Sequence, residues 1–310
     1  MKILICDKLD GSAVKKLREI GDCIDVSKER NKEELIDKNI TNANIVLIRS
    51  ETKLTKELIR KAKNLKIIAR CGVGVDNIDI PEATRKNIYV TNTPNANIIS
   101  AAELTIGLIL SAARNITIAD NSLKNKQWNR SELVGIELHG KKLGLVGFGK
   151  VARLVSTRLQ SFGMDIVFYD PFVKSSTENE QKLDLDELLE TSDFVSLHVP
   201  KTEKTKNLLS RDRLLMMKKD SIIINASRGG VIDEEAVFEL VEKEKLFSAA
   251  FDVYEEEPPN LNNKMLKSKV ITLPHLGATT KEAQGRTGKE VVDNIKQILE
   301  GNLNSVLNKK

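Results

Sequence analysis

The sequence predicts an α/β protein built from two doubly wound parallel sheets. Short apolar runs alternate with amphipathic segments throughout the first third of the chain, as is typical of βαβ units. A second alternation of the same kind begins at a glycine-rich turn around Gly147. The chain has 310 residues, which is enough for two such domains, each with its own core.

The first alternation predicts one parallel sheet with helices on both faces. Its strands are predicted at Lys2–Cys6, Cys23–Val26, Ile45–Ile48, Lys66–Ala69 and Ile88–Thr91. Its helices are predicted at Gly11–Ile20, Lys32–Lys38, Lys56–Lys63 and Pro81–Lys86. The cluster Asn92-Thr93-Pro94-Asn95 then marks a turn and a natural hinge.

A long helix and a second sheet follow the hinge. The helix-starting signal Ser-Ala-Ala-Glu predicts a helix from Ile98 to about Asp120. The strands of the second sheet are predicted at Lys142–Val146, Ile166–Tyr169, Phe194–Leu197, Ser221–Asn225, Ser248–Asp252 and Val270–Thr272. We expect the final amphipathic helix, Thr280–Leu299, to return to the first domain. The predicted domains are therefore 1–96 with 282–310, and 97–281, with a ligand in the cleft between them.

Composition and charge exclude several classes of function. The net charge of +5 is mild and the basic residues are interleaved with acids, so we expect no nucleic-acid partner. The cysteines Cys6, Cys23 and Cys71 are scattered without metal-binding spacing, which favours a reducing cytoplasm and no metal site. The longest apolar run, Leu104–Ala113, is too short to span a bilayer, and the apolar N-terminus is too short for a signal peptide.

The segment from Leu143 to Asp170 carries the most specific signal. A strand leads into the turn Gly-Phe-Gly-Lys-Val-Ala, a helix follows from Val151 to Phe162, and a second strand ends before an acid. Gly147 permits the tight turn, and Gly149 leaves room for a pyrophosphate at the start of the helix. Asp170 can accept both ribose hydroxyls of an adenosine and repels a 2′-phosphate. The pattern therefore predicts a dinucleotide site that favours NAD over NADP.

The chain has three histidines, which narrows the search for a general acid or base. His275 follows the last predicted strand, and His198 follows another strand, so both are expected at the carboxyl edge of the sheet where ligands bind. His139 precedes the nucleotide strand and is expected at the opposite edge. A single histidine is more often structural than catalytic, but the motifs around His275 favour a catalytic role.

Two further motifs follow neighbouring strands. Arg228 lies in Asn-Ala-Ser-Arg-Gly-Gly, where a guanidinium can grip a carboxylate through two hydrogen bonds. Glu257 lies in Glu-Glu-Glu-Pro-Pro, where the prolines stiffen the chain and the carboxylate can orient an imidazole. A surface arginine in a turn and a solvated acidic run are the alternative interpretations of these two motifs.

These motifs resemble the D-isomer-specific 2-hydroxyacid dehydrogenases over nearly the whole chain. Further matches are Ile48-Arg49-Ser50, the Ala69–Asn77 loop, Asn92-Thr93-Pro94 and the run that begins at His275. The resemblance implies a Rossmann NAD-binding domain inserted in a flavodoxin-like substrate domain. Within the family it is strongest to members that oxidise 3-phospho-D-glycerate, the opening step of serine synthesis.

The resemblance also implies roles for individual residues. The catalytic residues would be Arg228, Glu257 and His275, with His275 as general acid and base, Glu257 stabilising its charged form and Arg228 holding the substrate carboxylate. The cofactor contacts would be Val73, Gly147, Gly149, Lys150, Val151, Asp170, His198, Val199, Ala226, Ser227, Arg228, Asp252, His275, Gly277 and Ala278. The substrate contacts would be Arg49, Arg70, Gly72, Val73, Gly74, Asn97, Arg228 and His275. Such a site needs no metal.

Two features bear on assembly and regulation. The chain stops at Lys310, so we expect no C-terminal regulatory domain and no feedback by serine. Trp128 and Arg130 lie in Asn121–Leu133, a segment that the resemblance assigns to a homodimer interface.

The expected partner is a small anionic 2-hydroxy acid. The first hypothesis is oxidation of 3-phospho-D-glycerate. The second is the same chemistry on an unphosphorylated acid: glyoxylate, hydroxypyruvate or D-lactate. A cationic pocket at Arg49 that can bind a phosphate would favour the first hypothesis over the second. The third, from another class, is an NAD-sensing protein-binding module, because some corepressors share this fold.

Overall fold

The computed structural model describes residues 1–262, 264–267 and 269–309, and the chain divides into two compact units. Unit 1 comprises Met1–Ile98 and Ala278–Lys310, and unit 2 comprises Ile99–Gly277. The sequence predicted the boundaries after Ala96 and before Glu282. The last residue of the predicted domain, Lys310, lies outside the described residues.

All strands of both sheets run parallel. In chain order they are β1 (Lys2–Ile5), β2 (Asp22–Asp25), β3 (Ile45–Ile48), β4 (Ile67–Arg70), β5 (Tyr89–Thr91), β6 (Lys142–Val146), β7 (Asp165–Tyr169), β8 (Glu180–Lys182), β9 (Phe194–Leu197), β10 (Ile222–Asn225), β11 (Ser248–Phe251) and β12 (Ile271–Thr272). Unit 1 has the order β2-β1-β3-β4-β5, which is the flavodoxin-like order. Unit 2 has the order β12-β11-β10-β9-β6-β7-β8, which is the Rossmann order extended by one strand. The predicted fold class is confirmed.

Helices connect the strands and cover the sheets. In chain order they are α1 (Gly11–Ile20), α2 (Lys32–Ile40), α3 (Lys56–Lys61), α4 (Ile80–Arg85), α5 (Ile98–Ala113), α6 (Ile116–Lys124), α7 (Lys150–Gln160), α8 (Leu185–Thr191), α9 (Arg211–Met216), α10 (Glu234–Glu242) and α11 (Lys281–Leu299). The final helix α11 packs on α1 within unit 1, where Gly288 lies against the side chain of Ala13.

The central strands are apolar along their whole length because both faces of each sheet are covered. All four residues of β3 are fully buried, as are Ile222, Ile223 and Ile224 of β10. This burial explains why continuous apolar runs, and not alternating ones, predicted these central strands. The edge strand β8, with the polar sequence Glu-Gln-Lys, was not predicted. The predicted and observed ends of most elements agree within two residues.

The prediction of one long helix from Ile98 to about Asp120 is wrong. The structure has two helices, α5 and α6, with a bend of 65° between them. The break falls at Asn115, whose backbone is left-handed with φ 53°. Asparagine tolerates this conformation better than most residues, so an apolar periodicity that continues past it does not guarantee one straight helix.

No single helix in the described part of the chain is long and apolar enough to cross a membrane. The bent pair α5 and α6 meets the criteria of length and composition only when both helices are taken together. In unit 2, residues Leu108, Ile109 and Ala112 of α5 are buried in the core beside the sheet.

Candidate active site

The strand order of unit 2 reverses at β6, which pairs with β7 on one side and with β9 on the other. Ligands of doubly wound sheets bind at the carboxyl ends of the strands at such a switch point. The residues that follow β6 and β9 are Gly147 and His198. The Arg228 motif follows β10, the Glu257 motif follows β11 and His275 follows β12, so parallel pairing brings all these motifs to one edge.

The glycine turn after β6 has the geometry that the sequence predicts. Gly147 has φ 93°, and a Cβ atom there would lie 2.6 Å from the carbonyl oxygen of His198, so no other residue fits without a shift. A Cβ atom at Gly149 would meet no atom of the described residues within 4 Å. Helix α7 begins at the next residue, and its N-cap, Gly149, has no side chain with which to cap it. The open backbone at this helix start fits the pyrophosphate of a dinucleotide.

Asp170 is tied to the same turn. Its Oδ2 accepts a hydrogen bond from the backbone N–H of Phe148 at 2.8 Å, and its Oδ1 accepts one from Phe172 at 2.8 Å. The Phe148 ring stacks on Phe168 with centroids 4.0 Å apart, and the guanidinium of Arg153 lies 4.3 Å from the Phe148 centroid. Asp170 is partly exposed at the end of β7, so its carboxylate is held at the edge where a ribose would arrive.

His198 lies against the glycine turn, and its Nε2 is 3.0 Å from the Ser196 hydroxyl. Burial lowers the pKa of His198 to about 4, so the imidazole is neutral at physiological pH and too weak a base for proton transfer there. His139 packs elsewhere, beside Gly163, where a Cβ atom would lie 2.3 Å from its Nδ1. Neither histidine competes with His275 as the acid or base.

Glu257 and His275 form a direct pair. The Oε2 atom of Glu257 lies 2.7 Å from Nδ1 of His275, and the side chains are 34% and 37% exposed. Partial burial raises the pKa of Glu257, but the hydrogen bond and charge of His275 outweigh it, and the charge of Arg228 acts in the same direction. The net pKa of Glu257 is below its ordinary value, so the carboxylate is ionised at neutral pH. With Nδ1 engaged, Nε2 of His275 is the atom left to exchange a proton.

The turn that carries His275 is held by Asp252. The Asp252 carboxylate is fully buried and accepts hydrogen bonds from the backbone N–H groups of Leu276 and Gly277, at 2.6 and 2.8 Å. The Tyr254 hydroxyl donates to the carbonyl of Leu273 at 2.9 Å. His275 itself has a left-handed backbone with φ 56°. These contacts on both sides fix the backbone from which the imidazole projects.

The Arg228 loop is held by Asn225, the last residue of β10. The Asn225 amide donates to the carbonyl of Arg228 at 2.9 Å and accepts from the backbone of Ser227 at 3.1 Å. The guanidinium of Arg228 donates to the carbonyl of Ser227 at 2.6 Å. Gly229 touches the next loop, because a Cβ atom there would lie only 1.7 Å from the carbonyl oxygen of Tyr254. The loops that bear Arg228 and Glu257 are therefore in direct contact.

The predicted residues of unit 1 lie at the carboxyl ends of β3 and β4. Arg49 follows β3, and its backbone N–H donates to Asp7 while its carbonyl accepts from Asn77 at 2.6 Å. The Arg49 side chain lines a small pocket, whose other walls come from Lys8, Leu9, Asp10, Gln284, Thr287 and Gly288. The charged residues of this pocket are therefore two cations, Arg49 and Lys8, and one acid, Asp10.

The loop Gly72–Gly74 is shaped by Arg70 and by the turn after β5. A Cβ atom at Gly72, where φ is 153°, would lie 1.5 Å from the Arg70 guanidinium. The backbone N–H of Thr93 donates to the carbonyl of Gly72, and the Asn92 amide donates to that of Val73. Asn97 immediately precedes α5.

The predicted cofactor residues divide between the units. Val73 and Ala278 belong to unit 1. Those of unit 2 are Gly147, Gly149, Lys150, Val151, Asp170, His198, Val199, Ala226, Ser227, Arg228, Asp252, His275 and Gly277. These residues of unit 2 lie at or just beyond the carboxyl ends of their strands.

Sequence reasoning missed two acids that hold these loops. Asp7 is buried and binds the backbone of Arg49, and Glu234 binds the backbone of Glu255. The position of Asp7 directly after a strand was an available signal. Glu234 has the local pattern of an ordinary helix start, so nothing in the neighbouring sequence indicates its second contact.

Comparison with known proteins shows which family this chain resembles. Residues 106–277 match the family model described as D-isomer specific 2-hydroxyacid dehydrogenase, NAD binding domain. The D-3-phosphoglycerate dehydrogenase of Methanocaldococcus jannaschii is 46% identical over 98% of this chain. The chain spans only 58% of the length of that relative.

Two other similar proteins match along nearly their full length. The hydroxypyruvate reductase of Thermotoga maritima is 44% identical over 95% of this chain and 97% of its own. The crystal structure of the TT0316 protein from Thermus thermophilus superposes with a TM-score of 0.91 at 32% identity, covering 99% of this chain and 100% of its own.

Proposed function

This chain belongs to the D-isomer-specific 2-hydroxyacid dehydrogenase family, and we propose that it oxidises 3-phospho-D-glycerate to 3-phosphooxypyruvate with NAD. The observation that carries the proposal is the Glu257–His275 pair, at 2.7 Å, on the sheet edge that also bears the glycine turn and the Arg228 loop. Oxidation of an alcohol by hydride transfer requires a group that takes the hydroxyl proton and a site for the nicotinamide cofactor, and this edge provides candidates for both.

The proton is handled by the pair. NAD, when bound at the glycine turn, would accept the hydride that leaves C2 of the substrate. Nε2 of His275 takes the proton of the C2 hydroxyl as a carbonyl forms. The Glu257 carboxylate stabilises the imidazolium that results, because its lowered pKa keeps it ionised. In the reverse direction the same imidazolium returns the proton to the oxygen.

Arg228 orients the substrate in this proposal. Its guanidinium can hold the C1 carboxylate through two parallel hydrogen bonds and withdraw charge from the C2 oxygen. The Asn225 amide and the Gly229 contact fix the loop from which the guanidinium projects. A substrate whose carboxylate is held in this way presents its C2 atom in a single orientation. Only one stereoisomer would then place its hydroxyl at His275 and its hydrogen at the cofactor.

In this proposal Asp170 sets the preference for NAD over NADP. Asp170 would accept the ribose hydroxyls, and its charge would oppose a 2′-phosphate. Val73, Lys150, Val151, His198, Val199, Ala226, Ser227, Asp252, Gly277 and Ala278 would complete the cofactor site. Since both oxygens of Asp252 bind the backbone beside His275, a contact of Asp252 with the nicotinamide amide would use its remaining lone pairs.

The phosphorylated substrate is supported by the phosphoglycerate dehydrogenase at 46% identity and by the unit 1 pocket, where the cations Arg49 and Lys8 outnumber the one acid, Asp10. Arg49 would contact the phosphate, and Arg70, Gly72, Val73, Gly74 and Asn97 would contact the rest of the acid. The relative named hydroxypyruvate reductase, at 44% identity over nearly its full length, favours a second candidate, the reduction of hydroxypyruvate or glyoxylate.

A homodimer in the cytoplasm, acting in serine biosynthesis, completes the proposal. Large apolar side chains are exposed in and around the Asn121–Leu133 segment. They are Ile116, Leu123, Trp128 and Val134, with exposed fractions of 53%, 58%, 79% and 73%. Apolar side chains concentrated in this way on the surface are typical of a protein interface.

A steady-state screen tests the proposal. The full chain is assayed with 3-phospho-D-glycerate, glyoxylate, hydroxypyruvate and D-lactate or its oxo acid, each with NAD or NADP in the matching redox state. We expect the highest kcat/KM with the phosphorylated acid and NAD. A higher value with hydroxypyruvate selects the second candidate, and no turnover of any acid overturns the dehydrogenase proposal in favour of a sensing role.

A further inference from the structure

Glu234, the first residue of α10, makes a hydrogen bond to a loop outside its own helix. It opens α10, directly after Asp233, whose carboxylate caps the helix by accepting a hydrogen bond from the N–H of Ala236 at 2.8 Å. With the cap supplied by Asp233, the side chain of Glu234 serves another purpose. Its Oε1 accepts a hydrogen bond from the backbone N–H of Glu255 at 2.7 Å, 21 residues further along the chain.

This hydrogen bond joins the two loops that carry the proposed catalytic groups. Glu234 follows the Arg228 loop by a few residues, whereas Glu255 lies between Tyr254 and Glu257 in the next loop. The backbone N–H of Gly230, at the end of the Arg228 loop, acts on the Glu234 carboxylate in the direction that lowers its pKa. The two loops touch beside it, where Gly229 leaves no room for a side chain against the Tyr254 carbonyl.

Glu234 is partly buried, beside a pocket that Glu235 and Glu255 also line. Burial raises the pKa of Glu234, the backbone N–H groups of Glu255 and Gly230 oppose that effect, and the nearby charges of Glu255 and Glu257 add to it. The net pKa of Glu234 lies above its ordinary value. Burial of a carboxylate close to two other acids costs free energy, and a hydrogen bond to a specific partner, here the N–H of Glu255, offsets that cost.

We propose that Glu234 is a positioning residue, whose carboxylate clamps the Arg228 loop to the Glu257 loop and so sets the distance between the guanidinium and the Glu257–His275 pair. The inference rests on the proposed function. The link to Glu257 is short, because Tyr254 donates its own N–H to Oε1 of Glu257 at 3.1 Å while Oε2 holds His275. Movement of Glu255 is therefore passed to the carboxylate that orients the imidazole.

Three variants test the clamp. Glu234→Ala removes the acceptor, and Glu234→Gln keeps one oxygen that can accept the N–H of Glu255. Glu235→Ala is the matched control, because it removes an exposed carboxylate from the same helical turn. We expect Glu234→Ala to lower kcat by about 10–100-fold, since small displacements of catalytic groups cost rates of that order. Glu234→Gln is expected to recover to within about threefold of wild type, and Glu235→Ala to match wild type.

A second readout separates positioning from a general loss of structure. The dissociation constant of NADH, measured by quenching of protein fluorescence, is expected to stay within about twofold of wild type in all three variants, because the glycine turn is not touched. Wild-type kcat in Glu234→Ala would overturn the inference. So would a parallel loss of NADH binding and turnover, or a Gln variant as slow as the Ala variant.

Hydrogen exchange keeps this test independent of the proposed function. Amide exchange of the peptide that contains Glu255 is expected to be faster in Glu234→Ala than in Glu235→Ala, because the N–H has lost its acceptor. If the wild-type chain turns over no 2-hydroxy acid, the proposed function fails while faster exchange still supports the clamp. Unchanged exchange overturns the clamp whatever the turnover.

Discussion

The Glu257 carboxylate lies 2.7 Å from Nδ1 of His275, although 18 residues separate the two in the chain. The contact forms because β11 and β12 are neighbours in a parallel sheet, so the loops that leave their carboxyl ends run side by side. The buried Asp252 carboxylate, bonded to the N–H groups of Leu276 and Gly277, holds one of these loops in place. The pair is therefore formed between loops that leave two neighbouring strands.

Replacement of His275 by glutamine is expected to lower kcat by about 10²–10⁴-fold. Glutamine can keep a hydrogen bond to Glu257 but cannot carry the proton. NADH affinity should change little, since the cofactor turn follows a different strand. Steady-state kinetics and fluorescence titration check this, with His139→Gln as the control from outside the site. Wild-type turnover in His275→Gln would remove the imidazole from the mechanism.

Glu257→Gln is expected to lower kcat by about 10²-fold. The pKa of Glu257 is below its ordinary value, so the carboxylate is ionised at neutral pH and stabilises the positive charge that forms when His275 takes the substrate proton. Glutamine keeps a polar contact with Nδ1 but carries no charge. The measurement is kcat at neutral pH, with the exposed Glu256→Gln as the control. Wild-type kcat in Glu257→Gln would argue against electrostatic coupling of the pair.

Asp170→Ala should raise the efficiency with NADP relative to NAD, because the charge that repels a 2′-phosphate is lost. The same substitution also removes the acceptor of the Phe148 N–H and so loosens the glycine turn. Asp170→Asn keeps an oxygen for that N–H and separates the two effects. The ratio of kcat/KM with the two cofactors is measured for each variant. An unchanged ratio in both would show that Asp170 does not select the cofactor.

Arg49→Ala should raise KM for 3-phospho-D-glycerate far more than KM for glyoxylate, because only the former carries a phosphate for the guanidinium to bind. Lys53→Ala is the matched control, since it removes one exposed positive charge from the same loop. Parallel kinetics with both acids decide the point. Equal increases for the two substrates would favour the unphosphorylated acid as the natural one.

Asp7→Asn is expected to lower the free energy of unfolding by about 3 kcal/mol, because it leaves Lys32 without its buried partner. Burial raises the pKa of Asp7, but its bonds to Lys32, Thr52 and the Arg49 backbone lower it below the ordinary 3.8. The stabilisation is thus complete above the pKa of the unfolded chain and lost as pH falls through the lower, folded value.

Urea unfolding at several pH values measures this effect. Asp37→Asn is the control, since Asp37 pairs with Lys61 on the surface, where such pairs contribute roughly 0–1 kcal/mol. Equal losses in the two variants would contradict the difference between buried and exposed pairs.

Much of this protein was determined by local sequence. All the named strands except β8 were predicted from short runs of three to five residues, and the glycine turn from the space that its backbone needs. Asp170, Arg228, Glu257 and His275 were identified because each follows a predicted strand, and parallel strands end at one edge. Such patterns are visible in sequence because each depends on neighbours in the chain.

Tertiary structure alone decided the partners of those residues. The bend at Asn115 lies within a continuing apolar periodicity, so helical periodicity did not reveal it. Asp252, which reads as a cofactor contact, holds the backbone beside His275, and Glu234, which reads as a helix start, reaches the loop of Glu257. The sequence around an acidic residue looks the same whether its carboxylate binds water or the N–H of a distant residue. Which of the two lies within hydrogen-bonding distance depends on how the strands and loops pack.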